Sequence, residues 1–275
     1  MRIFVGTLYA GENELEECVD SINRQKGVIF EHVIFRNLGN KEAADTLYRT
    51  FMDRSGEFDL LIKVDADIVL LDDHLFSNIS QKFRENDWLD LLEIRVHDFY
   101  SDQLIWGLPS YRSTVKWKPA EENLFIDDFP PVPKNRWIAD CPELAPAGIH
   151  CKNPSPLQAF HYGVYKGLKI IQSEIDEKVI SKINSNWEKI ERTYAHFKSK
   201  RDIRLGFAVL GAELALKGSF QADHLDYSNP YMKDVFSHYA NWAIPQIQSE
   251  IYRLRLTNWG FLSNRMRRRV LSWRH

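Results

Sequence analysis

The sequence predicts an α/β fold in which a mostly parallel central sheet is flanked by helices and followed by a helical C-terminal extension. In the N-terminal part, short apolar runs alternate with amphipathic helical patterns, an order that is typical of parallel sheets with crossover helices. A Pro-rich segment follows, and helical periodicity dominates the remainder. With 275 residues, the chain can form one large α/β domain with an extension.

The elements of the N-terminal part are predicted from apolar periodicity. Strands are expected where short apolar runs end in polar turn residues. Helices are expected where apolar residues return every three or four positions, as Leu15, Cys18 and Ile22 do in the first helix. In chain order, the predicted elements are strand 3–6, helix 12–25, strand 30–35, helix 41–52, strand 58–64, helix 74–85 and strand 89–96.

The Pro-rich segment spans residues 107–157 and contains nine prolines, which interrupt any long element. Because aromatic and apolar residues continue through it, we expect functional loops of a compact domain rather than a linker. The chain is therefore predicted to divide into a core of residues 1–172 and an extension of residues 173–275. The helices predicted after an apolar stretch at 160–171 are 175–198, 203–216 and 244–256.

Composition and cysteine content indicate a cytoplasmic protein. The chain has no run of about eighteen apolar residues that could span a bilayer, and its first residues enter a strand pattern without the features of a signal peptide. The cysteines Cys18, Cys141 and Cys151 are an odd number, which suits a reducing compartment. The spacing of His150 and Cys151 relative to Cys141 matches no common zinc motif, so no zinc site is expected.

The net charge of −2 is unevenly distributed along the chain. Residues 251–275 hold seven arginines and no acidic residue, and aromatic and aliphatic side chains are interleaved with them. Such a segment can lie on an anionic membrane surface, or it can form a solvated terminal helix packed on the domain. Nucleic acid is not an expected partner, because the basic patch is confined to one end of an otherwise acidic chain.

Two carboxylates, Asp65 and Asp67, directly follow the predicted strand 58–64. In open α/β sheets, ligands bind beyond the carboxyl ends of the strands, so both side chains are expected at a binding edge. Oxygen ligands in this position suit Mg²⁺ or Mn²⁺ shared with a diphosphate. The alternative is a strand–turn junction in which the aspartates only cap the backbone.

A second motif, H-x-G-x-x-K, runs from His161 to Lys166. An imidazole can be a third metal ligand, the glycine lets backbone approach a phosphate, and the lysine can neutralise diphosphate oxygens. Taken alone, His161 is more often a core or surface histidine. Together with Asp65 and Asp67 on the same chain, the motif indicates a diphosphate site.

The sequence resembles the nucleotide-sugar glycosyltransferases of the GT-A fold. Residues 3–12 and 15–25 are similar to the opening of the family-two enzymes, with a strand, a Tyr-Asn-Glu-type turn, and a helix carrying Leu, Ser-Ile and Gln. The stretch Leu60–Leu70 resembles their D-x-D strand. Residues 161–166 are similar to the metal and diphosphate motif of retaining enzymes of the glycogenin and lipopolysaccharide galactosyltransferase kind. The resemblance covers residues 1 to about 170 and implies a GT-A core.

The resemblance implies transfer of a sugar from a UDP- or GDP-sugar donor to a glycan, lipid-linked or protein acceptor, with Mn²⁺ or Mg²⁺ as cofactor. Assembly of a bacterial surface polysaccharide, on the inner face of the membrane, is one role of this class. By position, the residues implied for nucleotide binding are Thr7, Tyr9, Glu12, Asn37, Lys41, Asp65 and Lys166, and those implied for the metal are Asp65, Asp67 and His161.

Two departures from the family-two pattern leave the nucleobase and the anomeric outcome open. The second predicted strand ends in residues 35–37, where Asn37 stands in place of the Asp that usually holds the base. The Glu-Asp pair of inverting enzymes has no recognisable counterpart either. Asp140 and Glu143 in the Pro-rich segment are the candidate acceptor bases, whereas a retaining enzyme could use leaving-group phosphate and need neither.

Two further classes fit parts of the sequence. In a haloacid-dehalogenase-like phosphatase, an apolar strand precedes D-x-D-x-[TV], which residues 64–69 match. Asp65 would then be the phosphorylated nucleophile and Asp67 the acid, although that motif normally lies on the first strand. The other class is a non-catalytic, GT-A-like binding subunit. A nucleotidyltransferase is disfavoured, because the early Gly-rich, basic loop of that class is missing.

Overall fold

The computed structural model describes residues 1–119, 132–175, 180–225 and 229–257, with only the backbone given for 173–175 and 180–184. The described chain forms two compact units. The first is Met1–Gln158, and the second comprises 159–225 together with residues from Asn229 onwards. The predicted boundary after residue 172 falls inside a helix, Pro156–Ile175, which we label α4.

The described part of the first unit contains one eight-stranded mixed sheet with three α-helices. The strand order is β2-β1-β3-β6-β5-β8-β4, with β7 alongside β5, and four of the seven pairings between described strands are parallel. The predicted α/β class with a helical C-terminal part is confirmed. In chain order, the elements are β1 (Arg2–Tyr9), α1 (Leu15–Asn23), β2 (Ile29–Arg36), α2 (Asn40–Asp53), β3 (Leu60–Lys63), β4 (Ile68–Leu70), α3 (Leu75–Glu85), β5 (Leu91–Asp98), β6 (Gln103–Arg112), β7 (Trp137–Ile138) and β8 (Gly148–His150).

Helices cover both faces of the sheet, as the alternation of side chains along a strand requires. Ile3 and Val5 of β1 belong to one core cluster with residues of α1 and α3. Phe4, between them, belongs to the opposite cluster with residues of α2. The α2 side is closely packed, because a Cβ atom at Gly6 would lie 2.2 Å from the side chain of Leu47.

The carboxyl ends of several strands meet at one edge of the sheet. β1 runs parallel to β2 and β3. β6 is antiparallel to both β3 and β5, so β5 runs in the direction of β3, and β8 is parallel to β5. The ends of β1, β3, β5 and β8 therefore lie on the same side, where ligands of α/β sheets bind.

Four strands were not predicted. β6 enters the Pro-rich segment, where Pro109 is tolerated because β6 pairs with β3 only from Ser110 onwards. The strands β4, β7 and β8 have two or three residues each. Such short strands are formed by their pairing with neighbours rather than by a pattern of their own, so periodicity does not detect them.

The second unit is helical in its described residues. After α4 come α5 (Ile180–Lys200), α6 (Ile203–Leu216), α7 (Pro230–Tyr239) and α8 (Ile244–Thr257), of which α7 was not predicted. Residues 205–216 of α6 are buried on all sides, as expected for the central helix of a bundle. None of the described helices has both the length and the apolar character to cross a bilayer.

Part of the predicted basic patch is engaged in ion pairs. Arg253 lies 2.5 Å from Glu250, and Arg255 lies 2.6 Å from Glu213 and 3.2 Å from Glu191. The five arginines beyond residue 257 lie outside the described residues. Membrane contact through 251–275 thus stays a prediction that depends on those five.

Candidate metal centre

The turn that follows β3 is held against β1 by its backbone. The amides of Val64 and Ala66 donate to carbonyl groups of β1 at 3.0 and 3.1 Å. The amide of Ile68 donates to the carbonyl of Asp65 at 2.9 Å, which closes the turn and starts β4. Ala66 is fully buried, whereas the flanking Asp65 and Asp67 are partly exposed at the sheet edge.

Asp67, His150 and Cys151 bring three potential ligand atoms together, and we call these three residues the candidate metal centre. Oδ2 of Asp67 lies 3.3 Å from Nε2 of His150 and 3.3 Å from Sγ of Cys151. Nε2 and Sγ are 3.5 Å apart. Pairing of β8 with β4 places His150 opposite Ile68, and the amide of Cys151 donates to the Asp67 carbonyl at 2.7 Å. The sheet therefore joins segments that are 84 residues apart.

The imidazole of His150 is oriented by Asp98, the last residue of β5. Nδ1 of His150 lies 2.7 Å from Oδ1 of Asp98, which is fully buried. The other oxygen of Asp98 accepts hydrogen bonds from the amide and hydroxyl of Ser101 at 2.8 and 2.5 Å. A carboxylate bonded to Nδ1 aims Nε2 at the centre and makes the ring a better ligand, as carboxylates behind metal-binding histidines do.

The charges of the centre shift the pKa values of its members. Burial lowers the pKa of His150, but Cys151, Asp67 and Asp98 together raise it well above the ordinary range. Burial raises the pKa of Asp67, but His150 above all lowers it, and the net pKa lies below the usual value. Burial also raises the pKa of the Cys151 thiol well above its usual value.

Glu12, in the turn after β1, adds a further acidic group. Its Oε2 accepts hydrogen bonds from the amides of Ala10 and Gly11 at 2.7 and 3.1 Å. Although these bonds favour the carboxylate, burial and then the charge of Asp67 raise the pKa of Glu12 to about 7. Protein atoms crowd this carboxyl group even though part of the residue is exposed. A cation at the centre would relieve the repulsion between Glu12 and Asp67.

Glu14 fixes the chain segment that follows Cys151. Its side chain is buried and accepts hydrogen bonds from the side-chain amide of Gln158 and the backbone amide of Asn153, both at 2.8 Å. The same amide nitrogen of Gln158 lies 3.9 Å from Sγ of Cys151. This network connects the start of α1 with the end of β8 and limits the positions that the sulfur can take.

A divalent cation fits the candidate metal centre. Oδ1 of Asp67 is buried and receives no hydrogen bond from any residue in the described ranges, and a buried carboxylate oxygen without a donor is costly. Carboxylate oxygen, imidazole nitrogen and thiolate sulfur are the ligand types of zinc and related transition metals. The donor set favours an ion at this position, next to a carboxylate whose other oxygen, Oδ1, lacks a donor among the described residues.

Of the predicted metal ligands, only Asp67 belongs to the candidate metal centre. Oδ2 of Asp65 lies 2.9 Å from the ammonium of Lys63, a side chain that is 5% exposed. This ion pair holds Asp65 at the edge beside the centre, and it gives the carboxylate a partner other than a metal ion.

The H-x-G-x-x-K motif lies on α4, and its residues pack within the second unit. A Cβ atom at Gly163 would be 1.8 Å from a backbone carbonyl oxygen of α6, so this position requires glycine for helix contact. Nε2 of His161 lies 2.7 Å from the carbonyl oxygen of Leu225. The ammonium of Lys166 lies 5.0 Å from the ring centre of Tyr162. Helix packing accounts for the spacing, and metal binding by His161 and diphosphate contact by Lys166 stay predictions.

The residues predicted to contact the nucleoside differ in their accessibility. Thr7 is fully buried, and its hydroxyl lies 2.9 Å from Nε2 of His32 in β2. Asn37 adopts a left-handed backbone conformation (φ 57°), and its amide donates to the carbonyl of Tyr9 at 2.8 Å. Lys41 lies in the first turn of α2. Tyr9, Asn37 and Lys41 remain candidates at the edge, whereas Thr7 is enclosed between strands.

The two predicted catalytic bases form ion pairs with cations of neighbouring elements. Asp140 lies 2.8 Å from Arg95, and Glu143 lies 2.5 Å from Lys82. The hydrogen bond from Lys82 lowers the pKa of Glu143 to about 2. A carboxylate of this pKa is poorly matched to the deprotonation of a hydroxyl near neutral pH, so these contacts argue against Glu143 as the base.

Sequence reasoning missed three residues of the site: His150, Cys151 and Asp98. In the sequence, His150 and Cys151 stand out only through their spacing from Cys141, which matches no common zinc motif. Their partner lies on a strand far away in the sequence, and β8 is too short to be recognised. The one available signal was a polar His-Cys pair directly after two apolar residues in a Pro-rich segment.

Comparison with known proteins gives similarity at the level of the fold. No family model and no curated protein matches the sequence. Among solved structures, the chain is similar to a mannosyltransferase from Pyrobaculum calidifontis in complex with GDP-Man and Mn²⁺, with 11% identity and a TM-score of 0.38 over 94% of this chain and 86% of that one. It is also similar to S. aureus TarS, with 12% identity and a TM-score of 0.32 over 92% and 54% of the two chains.

A third similar structure is A197 from STIV, with 19% identity and a TM-score of 0.27. The match covers 35% of this chain and 47% of that one, so it spans about half of the length of A197. Similarity at these values carries no functional argument, so the proposal below depends on the site itself.

Proposed function

We propose that this protein is a metal-dependent glycosyltransferase that moves a sugar from a nucleotide-sugar donor to a glycan, lipid-linked or protein acceptor. The observation that carries the proposal is the meeting of Asp67, from a D-x-D turn, with the Asp98-oriented His150. They meet at the edge where ligands of α/β sheets bind. Such a site suits a diphosphate leaving group, which needs positive charge as it departs.

In this proposal, each residue of the edge has a defined part. Asp67 and His150 hold the ion, so that His150 has the role of metal ligand that the sequence predicts for His161. Asp98 keeps the imidazole in place. When bound, a divalent ion neutralises the charge of the nucleoside diphosphate. Asp65, which Lys63 holds at 2.9 Å, accepts hydrogen bonds from ribose hydroxyls in this proposal.

The nucleoside would lie over the ends of β1 and β2. The guanidinium of Arg36 lies 5.2 Å from the ring centre of Tyr9, and this pair offers a planar surface for a base. Asn37 supplies an amide that can hydrogen-bond a base edge. The first turn of α2, with Lys41, is a position at which a helix favours anionic groups.

The phosphatase alternative is less well supported. It requires Asp65 as a free nucleophile, whereas Lys63 forms an ion pair with this carboxylate. Two strand–helix units, β1-α1 and β2-α2, precede the D-x-D turn, although the phosphatase motif normally follows the first strand. These observations favour transfer over phosphate-ester hydrolysis.

Calorimetric titration tests the proposal. UDP, GDP and their sugar conjugates are titrated into the protein with Mn²⁺, with Zn²⁺ and with a chelator. We expect nucleotide binding that depends on the metal and that Asp67→Asn abolishes. Asp73→Asn, at a partly exposed carboxylate paired with Arg24, is the matched control and should bind normally. Nucleotide binding that survives chelation, or hydrolysis of phosphate esters without nucleotide, would contradict the proposal.

A further inference from the structure

We propose that Cys151 is the third protein ligand of the candidate metal centre and that its sulfur gives the site a preference for Zn²⁺ over Mg²⁺. The D-x-D turn alone predicts the opposite preference, because paired carboxylates suit hard ions. This inference rests on the proposed function only for the location of the site. It changes the expected identity of the ion.

The separations between the three ligand atoms match a tetrahedral zinc site. Zinc–ligand lengths of about 2.0 Å for oxygen and nitrogen and about 2.3 Å for sulfur place tetrahedral ligands about 3.3–3.6 Å apart. The observed separations are 3.3 Å, 3.3 Å and 3.5 Å. Octahedral Mg²⁺, with lengths of about 2.0–2.1 Å, would place neighbouring ligands about 2.9 Å apart. The centre is therefore sized for the tetrahedral ion.

The sulfur of Cys151 is held in place by the fold. Cys151 is 1% exposed, and it adopts a left-handed conformation with φ of 52°. Its amide donates to the carbonyl of Asp67 at 2.7 Å, and the side chain of Gln158 lies 3.9 Å from the sulfur. The strained backbone turns the thiol towards Asp67 and His150 rather than away from them.

The number of ligands also agrees with a working site. Zinc sites that act on substrates use three protein ligands and keep a fourth position for water or substrate. Oxygen from Asp67, nitrogen from His150 and sulfur from Cys151 supply three, and a diphosphate oxygen can take the fourth. Metal ligands must be deprotonated, so any proton that the thiol or the imidazole carries passes to solvent when the ion binds.

Cobalt substitution tests whether the sulfur binds the ion. Co²⁺ bound by a thiolate gives a sulfur-to-metal charge-transfer band in the near ultraviolet, and tetrahedral Co²⁺ gives intense visible bands. We expect both in the native chain, loss of the charge-transfer band in Cys151→Ser, and displacement of Co²⁺ by equimolar Zn²⁺ but not by excess Mg²⁺. Cys141→Ser, at another buried cysteine, is the matched control and should retain the band.

A second measurement on the native chain does not depend on the folding of any variant. X-ray absorption of the Zn²⁺-loaded protein should show one sulfur neighbour at about 2.3 Å. A shell of oxygen and nitrogen alone, or a charge-transfer band that Cys151→Ser retains, would overturn the inference while metal-dependent nucleotide binding could still hold. A sulfur neighbour without nucleotide binding would overturn the proposed function and leave the inference standing.

Discussion

His150 and Asp98 are register partners on adjacent strands, β8 and β5, and Nδ1 of the imidazole lies 2.7 Å from the buried carboxylate. The pairing of the two strands therefore sets the orientation of the ring. A side chain that is already fixed by a sheet needs little rearrangement to bind an ion, because its conformational entropy is lost during folding rather than on binding. The proposed metal centre therefore depends on the buried Asp98 to orient His150.

Asp98→Asn should weaken metal binding by about 10- to 100-fold, because the amide removes the negative partner that orients Nδ1. The affinity is measured by calorimetric titration of Zn²⁺. Asp102→Asn, in the turn after β5, removes an exposed carboxylate that lies 3.2 Å from His97, and it should leave the affinity unchanged. Equal affinities for Asp98→Asn and the native chain would show that the pair has no part in metal binding.

Glu12→Gln should change the pH dependence of stability. Because the pKa of Glu12 is raised from 4.5 to about 7, its contribution to stability is fully present below pH 4.5 and is lost as the pH rises through 7. The glutamine side chain does not titrate, so the variant should gain up to about 3 kcal/mol on the native chain between pH 4.5 and 8. Urea unfolding at several pH values measures this difference.

Glu16→Gln, at an exposed residue of α1, is the control for Glu12→Gln, because it removes one carboxylate charge at the surface. A stability difference between Glu12→Gln and the native chain that stays constant from pH 4.5 to 8 would show that Glu12 is not held in a crowded, acidic environment.

Gly163→Ala should destabilise the protein by about 1–3 kcal/mol, because the added Cβ atom overpacks the contact of α4 with α6. Zinc affinity should not change. Gly56→Ala is the control, since no atom lies within 4 Å of the added Cβ there. If Gly163→Ala instead lowers nucleotide affinity and leaves thermal unfolding unaltered, the motif contacts phosphate and the packing explanation is wrong.

Arg255→Met should cost about 1–3 kcal/mol, because it removes a charged hydrogen-bond donor that lies 2.6 Å from the buried carboxylate of Glu213. Arg253→Met removes an exposed arginine two positions earlier on the same helix, and it should cost less than about 1 kcal/mol. Denaturant unfolding of both variants gives the comparison. Equal losses would mean that the ion pair within the helical unit contributes no more than a surface contact.

The position of Asp67 could be predicted from the sequence, whereas its partners could not. β3 is buried throughout, so it appears as a mostly apolar run, with Lys63 near its end, that two carboxylates follow. His150 depends on β8, a strand of three residues that exists only through pairing with β4 and β5. No local pattern carries that information, because the pairing partners are distant in the sequence.

The H-x-G-x-x-K spacing that predicts His161 as a ligand has two physical explanations, a diphosphate site and close packing of two helices. Gly163 and Gly167 are four residues apart on α4, and added Cβ atoms at both would lie within 2.8 Å of atoms of α6. The spacing of small residues that allows two helices to approach can also place a glycine between a histidine and a lysine. The sequence alone does not distinguish the two explanations, since they differ only in whether a neighbouring helix or a phosphate group contacts the glycine.

Anomalous diffraction from crystals grown with Zn²⁺ and UDP tests the central claim most directly. We predict the strongest peak at about 2.0–2.3 Å from Oδ2 of Asp67, Nε2 of His150 and Sγ of Cys151, with a diphosphate oxygen as the fourth ligand. A zinc ion bound elsewhere, with the three side chains still hydrogen-bonded to one another, would contradict the account.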